Sequence, residues 1–302
     1  MKRARRAARA TPATDKSIGV IGLGIMGSAM AANLARAGYR VHGYDIVPAR
    51  RAALKKAGGS PQASIARVAR AAEVLITSLP SAAALHAVAA ELGARGRVVM
   101  ETSTLPIEEK ERARDTLAKK GVALLDCPLS GTGAQARARD LVVYASGERK
   151  AYEKAQAFMP GFSRAHHYLG AFGNGSKMKF VANLMVAIHN VSAAEAFVLG
   201  MKAGLAPATI FKVQTESAGT SRMFQVRGPM MVAGRYGEAT MTNALWQKDL
   251  KIIGEFAARL GVPTPLFNAS VAIYSAAMAQ GYGKQDTAAV CAVLEAMARI
   301  RR

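Results

Sequence analysis

Residues 17–45, SIGVIGLGIMGSAMAANLARAGYRVHGYD, decide the fold of this 302-residue chain. The stretch begins and ends with short runs that favour strands, and an Ala-rich run lies between them. The first junction carries a G-x-G-x-x-G sequence, made of Gly22, Leu23, Gly24, Ile25, Met26 and Gly27. This order predicts a buried strand at 18–21, a turn at 22–27, a helix at 28–37 and a second strand at 39–44.

The glycines of this turn have separate physical roles. Gly22 permits a tight turn, Gly24 lets the main chain approach a pyrophosphate, and Gly27 allows the helix to pack closely on the strand. Exposed N–H groups at the start of the helix, together with the helix dipole, favour a bound phosphate. The whole turn, residues 22–27, is therefore predicted to bind a dinucleotide.

Asp45 ends the second predicted strand, 21 residues after Gly24. A carboxylate at that place accepts hydrogen bonds from ribose hydroxyls and repels a 2′-phosphate, which favours NAD. Arg50 and Arg51 follow closely enough to accommodate the extra phosphate of NADP. We therefore expect NAD as the cofactor, with NADP as the alternative.

Beyond this stretch, strand-like and helical runs alternate. Strands are predicted at 73–79, 97–101, 123–126 and 141–146, with helices at 48–56, 82–92, 107–119 and 151–159. After about Gly173 the strand signals nearly vanish, and helices are predicted at 176–203, 207–216, 244–260, 265–280 and 286–300. The expected fold is α/β, with an N-terminal Rossmann dinucleotide-binding domain followed by an all-α C-terminal domain.

Composition excludes several classes of protein. With 51% hydrophobic residues, the chain has enough apolar content to fold, which excludes a wholly disordered protein. Cys127 and Cys291 are too far apart for a metal motif, so we expect no metal site and a reducing, cytoplasmic compartment.

The formal net charge is +21, and residues 1–16 contain six basic residues and one acidic residue. We expect a disordered basic tail at 1–16, the Rossmann domain at 17–175 and the helical domain at 176–302.

The longest apolar run extends from Phe180 to Leu199. It is interrupted by Asn183, His189, Asn190 and Glu195. A lipid-spanning helix rarely tolerates so many polar residues, so we expect a helix buried within protein and no membrane partner.

Four motifs occur in order along the chain. They are the cofactor stretch 21–44, the segment Asp126-Cys127-Pro128-Leu129-Ser130-Gly131, the segment 173–179 (GNGSKMK) followed by Asn183, and Lys248-Asp249-Leu250 with residues 261–263 and 281–286. Together they resemble the β-hydroxyacid dehydrogenase family, which includes 3-hydroxyisobutyrate dehydrogenase and tartronate semialdehyde reductase. The resemblance implies a homodimer or homotetramer that interconverts a small 3-hydroxy acid and its semialdehyde or keto acid with NAD(P), at an active site between two domains.

The resemblance also implies roles for individual residues. Lys179, rather than Lys177, would be the catalytic acid and base, and Asn183 would orient the substrate oxygen or Lys179. The substrate-binding residues would be Ser130, Gly131 and Thr132. The residues near the cofactor, besides the turn and Asp45, would be Leu79, Pro80, Thr104 and Lys248.

Helix geometry offers an independent check on these residues. At 100° per residue, Lys179, Asn183 and Asn190 lie within about 40° of one another, so one polar stripe runs along an apolar helix. Buried polar groups are costly without partners. The stripe therefore predicts either the lining of a cavity or a seam of hydrogen bonds between helices.

The chain departs from the family pattern in its substrate segment. Thr132 stands where the family usually has a second glycine, which changes the expected size and polarity of the pocket.

Two alternatives to this function stay open. One is an imine reductase-like enzyme, although those enzymes usually replace the lysine. The other is a non-catalytic nucleotide-binding module whose basic surface binds nucleic acid. The sequence shows no arginine-rich recognition helix or aromatic stacking platform, so we expect a small carboxylate substrate instead of nucleic acid.

Overall fold

The computed structural model describes residues 16–302, so the predicted basic tail lies outside the described residues except for Lys16. The chain divides into two units between Ser176 and Lys177. The domain bounds 17–175 and 176–302 remain a prediction.

The first unit contains a six-stranded sheet in which all paired strands are parallel. In chain order the strands are β1 Ser17–Ile21, β2 Arg40–Tyr44, β3 Ser60–Pro61, β4 Val74–Thr77, β5 Val98–Glu101 and β6 Ala123–Asp126. Their order across the sheet is β3-β2-β1-β4-β5-β6, the order of a Rossmann fold. The predicted α/β fold is therefore confirmed.

Helices cover both faces of this sheet. They are α1 Ile25–Arg36, α2 Pro48–Lys56, α3 Ile65–Ala71, α4 Ala82–Glu91 and α5 Ile107–Ala118. Every residue of β4 is buried, because a parallel sheet packs against helices on both sides. Consecutive residues alternate between two apolar clusters: Val74 and Ile76 belong to one, and Leu75 belongs to the other.

A second, three-stranded sheet follows in the same unit. β7 Leu129–Ser130 pairs antiparallel with β8 Val142–Ala145, which pairs parallel with β9 Ala165–Tyr168. The accompanying helices are α6 Gly133–Arg137, α7 Arg149–Ala155 and a 3-10 helix at Gln156–Gly161. The sequence did not predict β3, β7 and β9. Two-residue strands are too short to show a periodicity, and the AHHY sequence of β9 has no apolar run.

The second unit consists mainly of helices, which confirms the predicted all-α region. They are α8 Asn174–Lys202, which begins in the first unit, α9 Pro207–Thr215, α10 Arg222–Ala233, α11 Asn243–Arg259, α12 Pro265–Ala279 and α13 Val290–Met297, with 3-10 helices at Tyr282–Lys284 and Thr287–Ala289. The sequence did not predict α10, because Gly228 and Pro229 interrupt its helical pattern.

Among the described residues, α8 is the one helix long and apolar enough to cross a membrane by length and composition. In the most apolar 18-residue stretch of α8, 33% of the residues are buried. Core helices of other proteins can have the same length and apolar composition. The polar residues Lys179, Asn183 and Asn190 of α8 are all buried.

Cys127 in the first unit and Cys291 in the second are both buried, and neither is in a disulfide. Burial, together with the nearby Asp126 carboxylate, raises the pKa of the Cys127 thiol well above its usual value. Burial and the Glu295 carboxylate raise the pKa of Cys291 to about 12. Within residues 16–302, no group of three or more His, Cys, Asp and Glu side chains is placed to hold a metal ion.

Asp286 and Arg227 form a buried ion pair in the second unit. Arg227 Nε lies 3.1 Å from Asp286 Oδ1, and the two side chains are 3% and 0% exposed. The Asp286 carboxylate also accepts hydrogen bonds from the N–H groups of Thr240 at 2.7 Å and Ala288 at 3.0 Å. Burial alone would raise the pKa of Asp286, but Arg227 and these N–H groups hold it below its usual value.

We predict that Asp286→Asn lowers the free energy of unfolding by about 3 kcal/mol at pH 7, because Arg227 loses the charge that compensates its burial. A carboxyl group with a depressed pKa stabilises the fold above its unfolded pKa of about 4, and this stabilisation is lost as the pH falls through the folded pKa. The difference between variant and wild type should therefore shrink below about pH 4. Urea unfolding at several pH values measures it.

The control for this measurement is Asp115→Asn, at a side chain that is 62% exposed. We expect this variant to stay within about 0.5 kcal/mol of the wild type. Equal losses in the two variants would contradict the prediction.

Candidate active site

The turn between β1 and α1 has no room for a side chain at two of its three glycines. Gly22 has a φ of 88°, and a Cβ there would lie 2.2 Å from the carbonyl oxygen of Ser78. A Cβ on Gly27 would lie 1.9 Å from the carbonyl oxygen of Gly22. Gly24 differs, because a Cβ there would meet nothing within 4 Å. The main chain at Gly24 is therefore open to an approaching ligand.

These features fit a bound dinucleotide. α1 begins at Ile25, and its N-cap residue Gly24 has no side chain to occupy the N–H groups of the first turn. The turn lies at the carboxyl end of β1, which stands between β2 and β4 in the sheet. In such sheets, ligands bind outside the carboxyl ends of the strands where the strand order reverses.

Asp45 follows β2 directly and is 5% exposed. Its Oδ2 accepts a hydrogen bond from the Leu23 N–H at 2.7 Å, and its Oδ1 accepts one from the Val47 N–H at 2.8 Å. A carboxylate oxygen has a second lone pair, so both oxygens can also accept a ribose hydroxyl. Burial alone would raise the pKa of Asp45, but the Val47 and Leu23 N–H groups and Arg50 lower it. Asp45 is thus an anion at neutral pH. The hydrogen bond from the Leu23 N–H joins the glycine turn to this carboxylate.

Two arginines lie beside this carboxylate. Arg50 Nη1 is 3.3 Å from Asp45 Oδ2, and the Arg50 side chain is 50% exposed. Arg51 donates a hydrogen bond to the main-chain oxygen of Asp45, and its guanidinium carbon lies 5.7 Å from the centre of the Tyr44 ring. Positive charge therefore surrounds the carboxyl end of β2, where it would attract a 2′-phosphate.

The loops after β4 and β5 carry the other cofactor residues predicted in the first unit. Leu79 and Pro80 lie after β4, and Thr104 lies after β5. Ser103 Oγ accepts a hydrogen bond from the Leu79 N–H at 2.8 Å, which joins the two loops. Because the strands are parallel, both loops lie at the same edge of the sheet as the glycine turn.

The predicted substrate segment begins at Ser130, the last residue of β7, and continues through Gly131 and Thr132 to α6. Gln135 Oε1 accepts a hydrogen bond from the Thr132 N–H at 3.0 Å, and Thr132 Oγ1 accepts one from the Gln135 N–H at 3.4 Å. This capping box has the sequence signature T-x-x-Q, so the sequence held a signal that could have identified it. The N–H group and the hydroxyl oxygen of Thr132 are therefore both engaged within the protein.

Helix α6 packs on α1. Asn33 Nδ2 donates a hydrogen bond to the Ala136 carbonyl oxygen at 2.6 Å, and Arg36 donates a hydrogen bond to Asn33 Oδ1. Since α1 also begins at the glycine turn, the predicted substrate segment and the predicted cofactor turn are attached to one helix.

Contacts between side chains connect Asn183, Asp249 and Lys248 in the second unit. Lys179 and Asn183 lie one turn apart on α8 and are 9% and 5% exposed. Asn183 Nδ2 donates a hydrogen bond to Asp249 Oδ2 at 2.9 Å, and Asp249 Oδ1 lies 3.3 Å from Lys248 Nζ. The adjacent charges of Lys248 and Asp249 indicate a surface pair in sequence, yet Asp249 is buried. The sequence did not predict the contact of Asp249 with Asn183, because 66 residues separate them.

Asn190, the third member of the polar stripe, has a different environment. Its Nδ2 donates hydrogen bonds to the Tyr274 hydroxyl at 3.0 Å and to the Thr287 carbonyl oxygen at 2.8 Å. It is 0% exposed. The hydrogen-bond seam that the stripe predicts as one alternative is therefore present at Asn190, two turns beyond Asn183.

Two known protein families together match nearly the whole described chain. Residues 17–170 match the family described as the NAD binding domain of 6-phosphogluconate dehydrogenase. Residues 173–294 match the family described as the NAD-binding region of NADP-dependent 3-hydroxyisobutyrate dehydrogenase.

Individual relatives are similar along nearly their full length. The L-threonate dehydrogenase of Cupriavidus necator is 34% identical over 91% of this chain and 95% of its own. The 2-(hydroxymethyl)glutarate dehydrogenase of Eubacterium barkeri is 30% identical over 93% and 95%, respectively. The crystal structure of 3-hydroxyisobutyrate dehydrogenase from Salmonella typhimurium is 29% identical and superposes with a TM-score of 0.83 over 92% of this chain and 100% of that one.

We predict that Gly24→Ala weakens NADH binding about tenfold or more, or about 1.4 kcal/mol, because the added methyl group occupies the space through which the main chain approaches the pyrophosphate. The thermal unfolding midpoint should stay unchanged, since that methyl group meets no protein atom within 4 Å. Fluorescence titration with NADH and thermal unfolding measure the two effects.

Gly237→Ala is the matched control, because a Cβ at Gly237 also meets nothing within 4 Å and this glycine lies in the second unit. The prediction is wrong if Gly24→Ala binds NADH as tightly as Gly237→Ala does.

Proposed function

This chain belongs to the β-hydroxyacid dehydrogenase family, and we propose that it interconverts a small 3-hydroxy acid and its semialdehyde or keto acid with Lys179 as general acid and base. It is an NAD(P)-dependent hydroxyacid dehydrogenase. One observation carries the assignment of Lys179: this lysine is buried one helical turn from Asn183. The Asn183 amide is in turn hydrogen-bonded to the buried Asp249.

The contact with Asp249 fixes the orientation of the Asn183 amide. A buried amide without partners is costly, so the bond at 2.9 Å both stabilises Asn183 and determines which way its Nδ2 points. We assign the Asn183 carbonyl oxygen the task of orienting either the substrate hydroxyl or the Lys179 ammonium group.

Lys179 moves the proton in both directions of the reaction. During reduction its ammonium group donates a proton to the carbonyl oxygen of the substrate. During oxidation its neutral amine, or a water molecule bound to it, accepts the hydroxyl proton. A nicotinamide cofactor, when bound, supplies or accepts the hydride. A positioned acid or base of this kind contributes about 10²–10⁴-fold to the rate.

The substrate carboxylate is assigned to Ser130 and Gly131. A hydroxyl group and a neighbouring main-chain N–H together form a common anion-binding arrangement. Thr132 uses its own polar groups in the capping box, so we assign it the task of shaping this segment. The L-threonate and 2-(hydroxymethyl)glutarate dehydrogenases support a hydroxy acid as the substrate.

The turn at residues 22–27, Asp45, Leu79, Pro80, Thr104 and Lys248 are assigned to the cofactor. The Asp45 carboxylate favours NAD, whereas Arg50 and Arg51 keep NADP as a second cofactor. The net positive charge of the chain attracts an anionic cofactor and substrate. A nucleic-acid partner is therefore not needed to explain this charge. The lysine at position 179 argues against the imine reductase alternative.

We predict that Lys179→Ala lowers kcat about 10²–10⁴-fold while the Kd for NADH stays within about twofold, because only proton transfer is lost. The assay is a panel of small 3-hydroxy acids and aldehydes, each tested with NAD(H) and NADP(H), which also identifies the substrate. Direct NADH titration measures cofactor binding.

Lys177→Ala is the matched control, since Lys177 lies two residues away on the same helix and is exposed. It should retain most of the activity. An unchanged kcat in Lys179→Ala would remove Lys179 from the mechanism, and no turnover of any 3-hydroxy acid by the wild type would refute the substrate class.

We further propose that the enzyme is a cytoplasmic homodimer or homotetramer. Val181, Met185 and Leu199 of α8 are 55%, 44% and 74% exposed. They lie within about 40° of one another around the helix, so these three exposed apolar side chains are on one face of α8. Contact with a second copy of the chain would cover it. Two buried cysteines, neither in a disulfide, suit a reducing compartment.

Light scattering during size-exclusion chromatography should give a mass that is two or four times the 31.7 kDa of one chain. The double variant Val181→Lys/Met185→Lys should lower this mass, because charged groups are costly at a buried interface. Val213→Lys, at an apolar side chain of α9 that is 63% exposed, is the control. A wild-type mass of one chain would contradict the proposal, and cosedimentation of wild type with lipid vesicles would assign the face to a membrane.

A further inference from the structure

A lysine with no contact with water lies between two carboxylates in the first unit. Lys110 Nζ is 2.7 Å from Glu101 Oε2 and 2.8 Å from Asp126 Oδ1, and all three side chains are 0% exposed. Glu101 ends β5, Asp126 ends β6, and Lys110 lies in the first turns of α5. The family assignment gives none of these three residues a role in the reaction.

The Asp126 carboxylate also holds the beginning of α8. Its Oδ2 accepts a hydrogen bond from the Ser176 N–H at 2.7 Å, and its Oδ1 accepts one from the Ser176 hydroxyl at 2.8 Å. The first N–H groups of a helix lack partners within the helix, and a negative charge near them is favourable. Asp126 therefore fixes the first turn of α8 by both hydrogen bonding and charge.

The packing around this turn leaves no room for a side chain at Gly175. A Cβ on Gly175 would lie 2.3 Å from the Tyr144 carbonyl oxygen and 2.7 Å from the Asp126 carbonyl oxygen. The Gly175 N–H donates a hydrogen bond to Ser146 Oγ at 2.9 Å. The start of α8 thus rests directly on the main chain of the neighbouring strands, and a small shift of Asp126 would break these contacts.

Glu101 connects the same cluster to the loops assigned to the cofactor. Its Oε1 accepts a hydrogen bond from the Ser103 N–H at 2.9 Å. Ser103 in turn accepts one from the Leu79 N–H through its Oγ at 2.8 Å. One buried lysine therefore joins the loops after β4 and β5 to the first turn of α8.

Charge explains why the lysine is needed. Two carboxylates that contact the same ammonium group and are shielded from solvent would repel each other strongly without that cation. Burial alone would lower the pKa of Lys110, but the Asp126 and Glu101 carboxylates raise it above its usual value, so the side chain is charged at neutral pH. Lys110 offsets one carboxylate, and the positive end of α8 partly offsets the other.

We propose that Lys110 is a positioning residue: its contacts with Glu101 and Asp126 hold the first turn of α8, from which Lys179 follows three residues after Ser176. The proposal rests on the proposed function only for the role of Lys179. Its structural part, that Lys110 keeps Asp126 bonded to Ser176, can be measured without turnover.

The first test is Lys110→Met, which keeps the length of the side chain and removes the charge. Hydrogen exchange of the amides at 174–180 should accelerate about tenfold or more, because local opening becomes easier when Asp126 moves away from Ser176. With the substrate found in the panel, kcat should fall about tenfold to a hundredfold, as expected for a displaced catalytic group. The Kd for NADH should change less than kcat does.

The double variant Lys110→Met/Glu101→Gln separates charge balance from loss of packing. With one carboxylate removed, Asp126 no longer faces a like charge, so exchange at 174–180 and kcat should return to within about threefold of wild type. This variant also decides the matter if Lys110→Met alone does not fold. Lys119→Met, an exposed lysine immediately after α5, is the matched control and should leave exchange and kcat unchanged.

Unchanged exchange at 174–180 in a folded Lys110→Met would overturn the proposal, whatever the activity. A double variant that stays unfolded, or that folds with fast exchange, would also overturn it. If the wild type shows no turnover but exchange responds as described, the proposed function fails and the role of Lys110 in holding α8 stands.

Discussion

The close contact of main chain with main chain at the start of α1 is the constraint on which the first unit depends. A single carbon atom added at Gly27 would lie 1.9 Å from the Gly22 carbonyl oxygen, so the helix can begin directly above β1 only with glycine at this position. The turn between them, residues 22–24, therefore lies at the carboxyl end of the strand. The Leu23 amide then reaches Asp45, which ties the end of β2 to the same turn.

Those elements of the fold with a long, regular pattern were predictable from the sequence. α2 has the predicted bounds, because Pro48 marks its first turn and Gly58 follows its end. β3 and β7 contain only two residues each, and their pairing depends on neighbours distant in sequence. α10 forms in spite of Pro229, because packing of residues such as Phe224 and Met231 outweighs local preference.

The candidate site was predictable where a motif or a resemblance named single residues. Gly22, Gly24 and Gly27 follow from the spacing of the turn, whereas Lys179 and Asn183 depend on the family pattern and remain proposals. Contacts across long separations were not predictable. Lys110 stands in the charged run IEEKERARDTLA, which is typical of a solvated helix face, and only the fold shows that it is enclosed by the ends of β5 and β6.

The distribution of the two cysteines has a practical consequence for studies of this protein. Thiol reagents attack the thiolate, and burial together with a raised pKa suppresses that form at both Cys127 and Cys291. Labelling will therefore proceed only as fast as the surrounding structure opens. Because one cysteine lies in each unit, the chain carries two natural reporters, and mass spectrometry of the labelled peptides can follow the opening of each unit separately.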